Sequence, residues 1–231
     1  MNSNKKTARI VGALFLTGYL FIGTEFLQGP ILNAPDYLIN LYPNKTRVII
    51  GLLLELIMGG TVVGIAVMMF PIFDKQNKNI ALGYVGFRIL ECAFIIVGAI
   101  SLLSLITLSQ EFVKAGAPDA SYFQTLGTLL LAERSWANVM VRIIFSPTAL
   151  VFYYLLYQSK LIPRFISVWG LIGATLALTG TLLEMFGSNL LVILFLPGGL
   201  NELFLGVWLI VKGFNSPAIA SESAKTDINE D

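Results

Sequence analysis

Six stretches of this chain are long and apolar enough to cross a lipid bilayer as helices: residues 8–27, 47–73, 79–108, 136–157, 165–185 and 189–212. About 20 residues rising 1.5 Å each span a hydrocarbon core roughly 30 Å thick. In that medium every backbone N–H and C=O must be satisfied within the protein, a demand the helix meets inside its own segment. The composition agrees, with 56% hydrophobic and 13% charged residues against about 25% charged in soluble domains. Mean hydropathy is +0.78. The expected fold is therefore all-α, a polytopic transmembrane helix bundle of six spans forming one domain over residues 1–214.

The same composition removes several classes of function. The net charge is only +1, so no basic excess points to nucleic acid. There is no histidine, which excludes histidine metal sites, Ser-His-Asp hydrolysis and histidine proton relays. The single cysteine, Cys92, lies within an apolar run and reads as a small buried hydrophobe. No phosphate loop, Cys-x-x-Cys or Gly-x-Ser-x-Gly occurs, so neither a cofactor nor a catalytic motif is expected.

Between the spans lie two longer loops. Residues 28–46 are rich in Pro and Asn, and 109–135 form the longest connection. Each carries Ala-Pro-Asp, which places Asp36 and Asp119 at helix N-caps. After Asp119, the spacing of Tyr122, Phe123, Leu126, Leu129 and Leu130 is helical. A short interfacial helix is predicted in each of these two extracytoplasmic loops. Residues 74–78 and 160–164 are tight polar turns, and 215–231 read as a disordered cytoplasmic tail. Counting Lys and Arg sets the orientation. Lys5, Lys6, Arg9, Lys75, Lys78, Lys160, Arg164, Lys212 and Lys225 fall on one side, and Lys45, Arg47, Lys114 and Arg134 on the other. Both termini are thus expected in the cytoplasm and the protein in the cell membrane, its first partner being the lipid bilayer.

Charge inside the spans is where chemistry is to be sought. Glu55, Arg88, Glu91, Arg142 and Glu202 lie well within them, and uncompensated would cost about 12–17 kcal/mol together at 2.5–3.5 kcal/mol each. Arg88 and Glu91 share a helical face. Asn138, Arg142 and Ser146 recur at intervals of four, with Pro147 expected to kink the span after them. Asn201 and Glu202 follow Pro197-Gly198-Gly199, a run predicted to break the sixth span, as transporter helices do beside a substrate. Depth along the spans favours Arg88 with Glu202, and Arg142 with Glu55 or Glu91; the alternative for Arg88 is Glu91 on its own helix. The expected intramembrane polar cluster is Glu55, Arg88, Glu91, Asn138, Arg142, Asn201 and Glu202. Glu25 and Glu184 read as interfacial. Gly60-x-x-x-Gly64 permits a close helix approach. Trp136, Tyr153, Tyr154, Tyr157 and Trp169 read as an aromatic belt.

Several stretches together carry a resemblance. They are Ala34-Pro35-Asp36-Tyr37-Leu38, Gly86-Phe87-Arg88 with Glu91, Ala115-Gly116-Ala117-Pro118-Asp119 with Tyr122-Phe123-Gln124, Val168-Trp169-Gly170, and Glu202 leading to Val207-Trp208-Leu209-Ile210-Val211-Lys212-Gly213-Phe214. From Arg9 to Phe214 the chain resembles the bacterial and archaeal membrane family called domain of unknown function 4386. The resemblance implies a small integral membrane protein and supplies no reaction.

Three readings follow. In the first, the Arg/Glu cluster binds or conducts a small solute or ion. In the second, the charges only fix helix packing in a structural or accessory subunit. In the third, paired carboxylates act on an apolar or lipid-linked substrate.

Overall fold

The computed structural model describes residues 3–117 and 121–215. It is helical throughout, with no strand among the described residues. α1 (Ser3–Thr17) and α2 (Leu20–Leu32) are joined at Gly18–Tyr19 and together form the first apolar span, Asn4–Leu32. α3 (Tyr37–Leu41) is short. α4 (Lys45–Phe73), α5 (Lys78–Lys114), α6 (Ser121–Ser159), α7 (Arg164–Met185) and α8 (Leu191–Val211) complete six helices long and apolar enough to cross a membrane. Large apolar side chains such as Phe26, Val192 and Phe186 are among the most exposed, as expected of surfaces that face hydrocarbon.

The connections depart from expectation. Residues 28–32 continue α2 with Pro30 inside it. Asp36 does occupy the N-cap of α3, but its side chain makes no capping bond. Its carbonyl instead accepts from the N–H groups of Ile39 and Asn40. α3 buries one face, Tyr37, Leu38 and Leu41, and leaves Ile39 exposed. The second expected helix leads into the following span without a break. Ser121 opens a 39-residue helix that runs through Trp136 and Pro147 to Ser159, since nothing between the loop and the span breaks it. Asp119 lies outside the described residues. α5 and α6 are thus about 55 and 58 Å long and exceed the roughly 40–45 Å of a whole bilayer. α5 ends in a left-handed turn with φ +80° at Gly116, where Gly116 N–H donates to Val113 O and Ala117 N–H to Phe112 O. That bond pair is a Schellman C-cap.

The chain divides into two compact units. The first comprises Met1–Thr17, Thr61–Leu90 and Arg142–Asp231. Its core includes Phe15, Met69, Phe73, Tyr84, Phe152 and Tyr153. Phe73 meets Tyr84 and Phe152 edge to face at 5.7 Å each, a geometry the ring quadrupoles favour. Tyr153, expected in the aromatic belt, is 3% exposed. Its ring fills the notch where Gly170 has no side chain.

Small residues bring helices of this unit together. α8 packs on both α1 and α7. A Cβ on Gly12 would stand 2.6 Å from Gly206 O, and one on Gly173 2.6 Å from Gly198 Cα. The expected break in α8 is therefore absent. The helix continues through Pro197, and Gly198 serves close packing on α7. The Gly60-x-x-x-Gly64 spacing is not used in this way, since a Cβ on Gly60 would meet nothing within 4 Å. After α8 the chain turns at Gly213, with φ +74°. Phe214 is buried, and Asn215 donates from Nδ2 to Lys160 O and from its N–H to Leu161 O, both at 2.8 Å. Asn215 was expected in the tail and is instead bonded; 216–231 lie outside the described residues.

The second unit comprises Gly18–Gly60 and Glu91–Val141. Its core joins Leu38, Leu41, Val48, Leu52, Leu102 and Leu105. Ser109, fully buried, pins α3 to α5 by donating to Leu38 O at 2.6 Å and accepting from Tyr42 N–H at 2.9 Å.

Candidate functional site

Within the second unit the polar interior centres on Arg134, a residue that sequence reasoning placed in a loop. Its guanidinium forms a bidentate ion pair with Glu55 of α4, and the two side chains are only 11% and 12% exposed. One nitrogen also donates to Gly98 O of α5 at 3.1 Å, and the other to Gln28 Oε1 of α2 at 2.7 Å. Four helices thus meet on one planar cation, whose fixed fork suits such a task. Gln28 passes the connection on, donating from Nε2 to Val48 O at 3.2 Å. Gly51 leaves room for the glutamine side chain, because a Cβ there would stand 2.8 Å from it. Glu91 is 3% exposed. Asn138, by contrast, is exposed.

Within the first unit, Arg142 of α6 is ion-paired with Glu184 of α7, their side chains 24% and 33% exposed. Glu184 was expected to be a simple interfacial residue. Arg88 of α5 is 3% exposed and lies over the rings of Tyr84 at 5.4 Å and Phe145 at 5.6 Å. Such faces attract a cation more strongly once water is removed. Asn201 of α8 is fully buried and donates to Ile166 O of α7 at 3.0 Å, while Glu202 beside it is partly buried.

These pairs correct the partner inferred from depth for Arg142. Glu55 belongs to Arg134 and Arg142 to Glu184. Distance along a helix says nothing about azimuth, and a four-residue repeat drifts about 40° per step at 3.6 residues per turn. Asn138, Arg142 and Ser146 therefore do not share one environment: Ser146 is buried and Asn138 is not. The missed signal lay in the same repeat. Carried one step back from Asn138, it reaches Arg134, and Thr24 and Gln28 show the same interval on α2.

Position along each helix also sorts the charges. Measured along its own helix, Glu55 lies about 27 Å from Phe73, Arg142 about 26 Å from Ser159 and Glu184 about 30 Å from Arg164. Arg88 and Glu91 lie about 15 and 20 Å from Lys78, and Glu202 about 14 Å from Val211. These last three stand well inside their helices, and a charge in the interior of a membrane-spanning helix is costly.

A family model described as a domain of unknown function (DUF4386) matches residues 10–213. The chain belongs to the DUF4386 family. No curated protein and no solved structure matches it. The matched segment of this DUF4386 protein contains the Arg134–Glu55 and Arg142–Glu184 pairs together with Arg88, Glu91 and Glu202. It is a multi-pass membrane protein by its six apolar helices, and the family carries no assigned activity.

Proposed function

We propose that this DUF4386 protein is a structural or accessory component of the cell membrane, its ion pairs acting as clasps that fix helix packing. The observation that carries the reading is the Arg134 guanidinium, whose two terminal nitrogens are engaged by Glu55, Gln28 and Gly98. A cation so fully bound by its own protein offers little to a solute. The pairing of Glu55 and Glu184 with arginines also weighs against their use as catalytic carboxylates. Both termini lie in the cytoplasm in this reading. Supporting that orientation, Arg134 is bound among helices rather than free in a loop, which leaves three basic residues on the outer side of the count. The test is the double replacement Glu55→Leu with Arg134→Leu in the full chain. A monodisperse, inserted protein that still supports its cellular phenotype is expected. An intact fold with the phenotype lost would overturn the reading.

A second reading is favoured by a separate observation, the burial of Arg88 within an apolar span. Here Arg88 and Glu202, both of the first unit, serve a path for a small ion. Proteoliposomes loaded with proton- and sodium-sensitive dyes test it. Flux in the wild type that is lost in Arg88→Gln and Glu202→Gln is expected. Equal flux in all three, or none in the wild type, would sink it.

A further inference from the structure

Serine and threonine hydroxyls within the helices of this protein usually donate to the carbonyl four residues back. Ser101, Ser146, Thr148, Thr175 and Thr181 all do so. Ser167 does not. The residue four before it is Pro163, the extended N-cap of α7 (ψ 134°), whose carbonyl accepts from Ile166 N–H. Ser167 is fully buried, yet its Oγ has no hydrogen-bond partner among the described residues.

One residue away on α7 is the carbonyl of Ile166, which accepts from Asn201 Nδ2. Gly170, one turn on, carries no side chain, and the ring of Tyr153 occupies the notch it leaves. Asn201 is also fully buried, and its Oδ1 likewise has no partner among the described residues. Two orphaned oxygens, one on α7 and one on α8, thus belong to side chains held within about one residue of each other along α7, consecutive Cα atoms being about 3.8 Å apart. Buried polar groups of this kind are as a rule satisfied by protein or by ordered water.

We propose that Ser167 and Asn201 form a binding site for a single structural water between α7 and α8. The water donates to Asn201 Oδ1 and exchanges a second hydrogen bond with Ser167 Oγ, giving it the two or more polar partners an internal water requires. Both side chains are neutral and only two oxygens are orphaned, far short of the six to eight that a hard cation such as calcium gathers. The bridge would tie α7 to α8 beside the Gly173–Gly198 approach.

Water-edited solid-state NMR on the full chain in bilayers tests the site. Transfer from water to the Ser167 and Asn201 resonances is expected, and its loss from Asn201 in Ser167→Ala. Thermal unfolding gives a second readout: Ser167→Ala should lower Tm by about 2–4 °C, the shift for roughly 1 kcal/mol in a chain this size. Asn201→Leu should cost less in the Ser167→Ala background than alone. A dry site, or an unchanged Tm in Ser167→Ala, would overturn the proposal. A Tm raised by sodium chloride but not by choline chloride would overturn it in favour of a bound cation.

Discussion

Replacing Arg134 with leucine would leave the Glu55 carboxylate and the Gln28 amide oxygen facing each other without their shared donor. Removing one partner of a buried ion pair typically costs 3–5 kcal/mol, mostly because the remaining charge stays desolvated. The lower end applies here. The side chains keep 11% and 12% of their exposure, so the stranded carboxylate is not fully cut off from its surroundings. About 3 kcal/mol in a chain of this length corresponds to a fall in Tm of about 6–12 °C. Adding Glu55→Leu removes the stranded charge, and the double variant should recover to about 2–8 °C below wild type. Its residual deficit of about 1–2 kcal/mol comes from Gln28, whose Oε1 then lacks a donor. Arg134→Lys should fall between, since an ammonium keeps the charge but cannot span Glu55, Gln28 and Gly98 at once. Detergent-solubilised protein followed by fluorescence-detected size-exclusion chromatography over a temperature series measures all three. A double variant no more stable than Arg134→Leu would refute the reasoning, because the loss would then not arise from the unpaired carboxylate.

The other expectations concern packing. Gly12→Ala places a methyl 2.6 Å from Gly206 O and should destabilise by 1–3 kcal/mol, roughly the cost of overpacking. Gly60→Ala meets nothing within 4 Å and should be neutral or stabilising by up to about 1 kcal/mol through helix propensity; the same thermal assay separates the two. Asn215→Ala removes the side-chain bond that holds Lys160, a non-glycine residue at φ +54°, and should speed proteolysis of the 160–163 turn while lowering stability by about 1 kcal/mol. Asn138→Ala should leave Tm within about 1 °C of wild type, because the side chain is exposed; a large loss would show that Asn138 belongs to the polar interior after all.

The spans were readable because a crossing helix is a local, additive property. Twenty apolar residues in a row state their own case whatever lies beside them. The same locality explains which parts of the site were visible. Glu55, Arg88, Glu91, Arg142 and Glu202 announced themselves as charges in apolar surroundings. Arg134 and Gln28 did not, because each lies among polar residues at the edge of an apolar run, and α2 and α6 simply continue past that edge. The Pro197-Gly198-Gly199 run was misleading for a related reason. Glycine either loosens a helix or lets a neighbour come close, and only the neighbour, here Gly173, decides which.

Taken alone, then, the amino-acid order determined six membrane-crossing helices, the all-α class and the identity of most charges that must be neutralised inside. The tertiary structure decided who pairs with them: Arg134 for Glu55 and Glu184 for Arg142, while the rings of Tyr84 and Phe145 lie against Arg88. The physical reason is that burial cost is set by a residue's own segment, whereas pairing depends on helix azimuth and on neighbours distant in sequence. Each charge within a span was therefore a demand written in the sequence, and its answer a matter of packing.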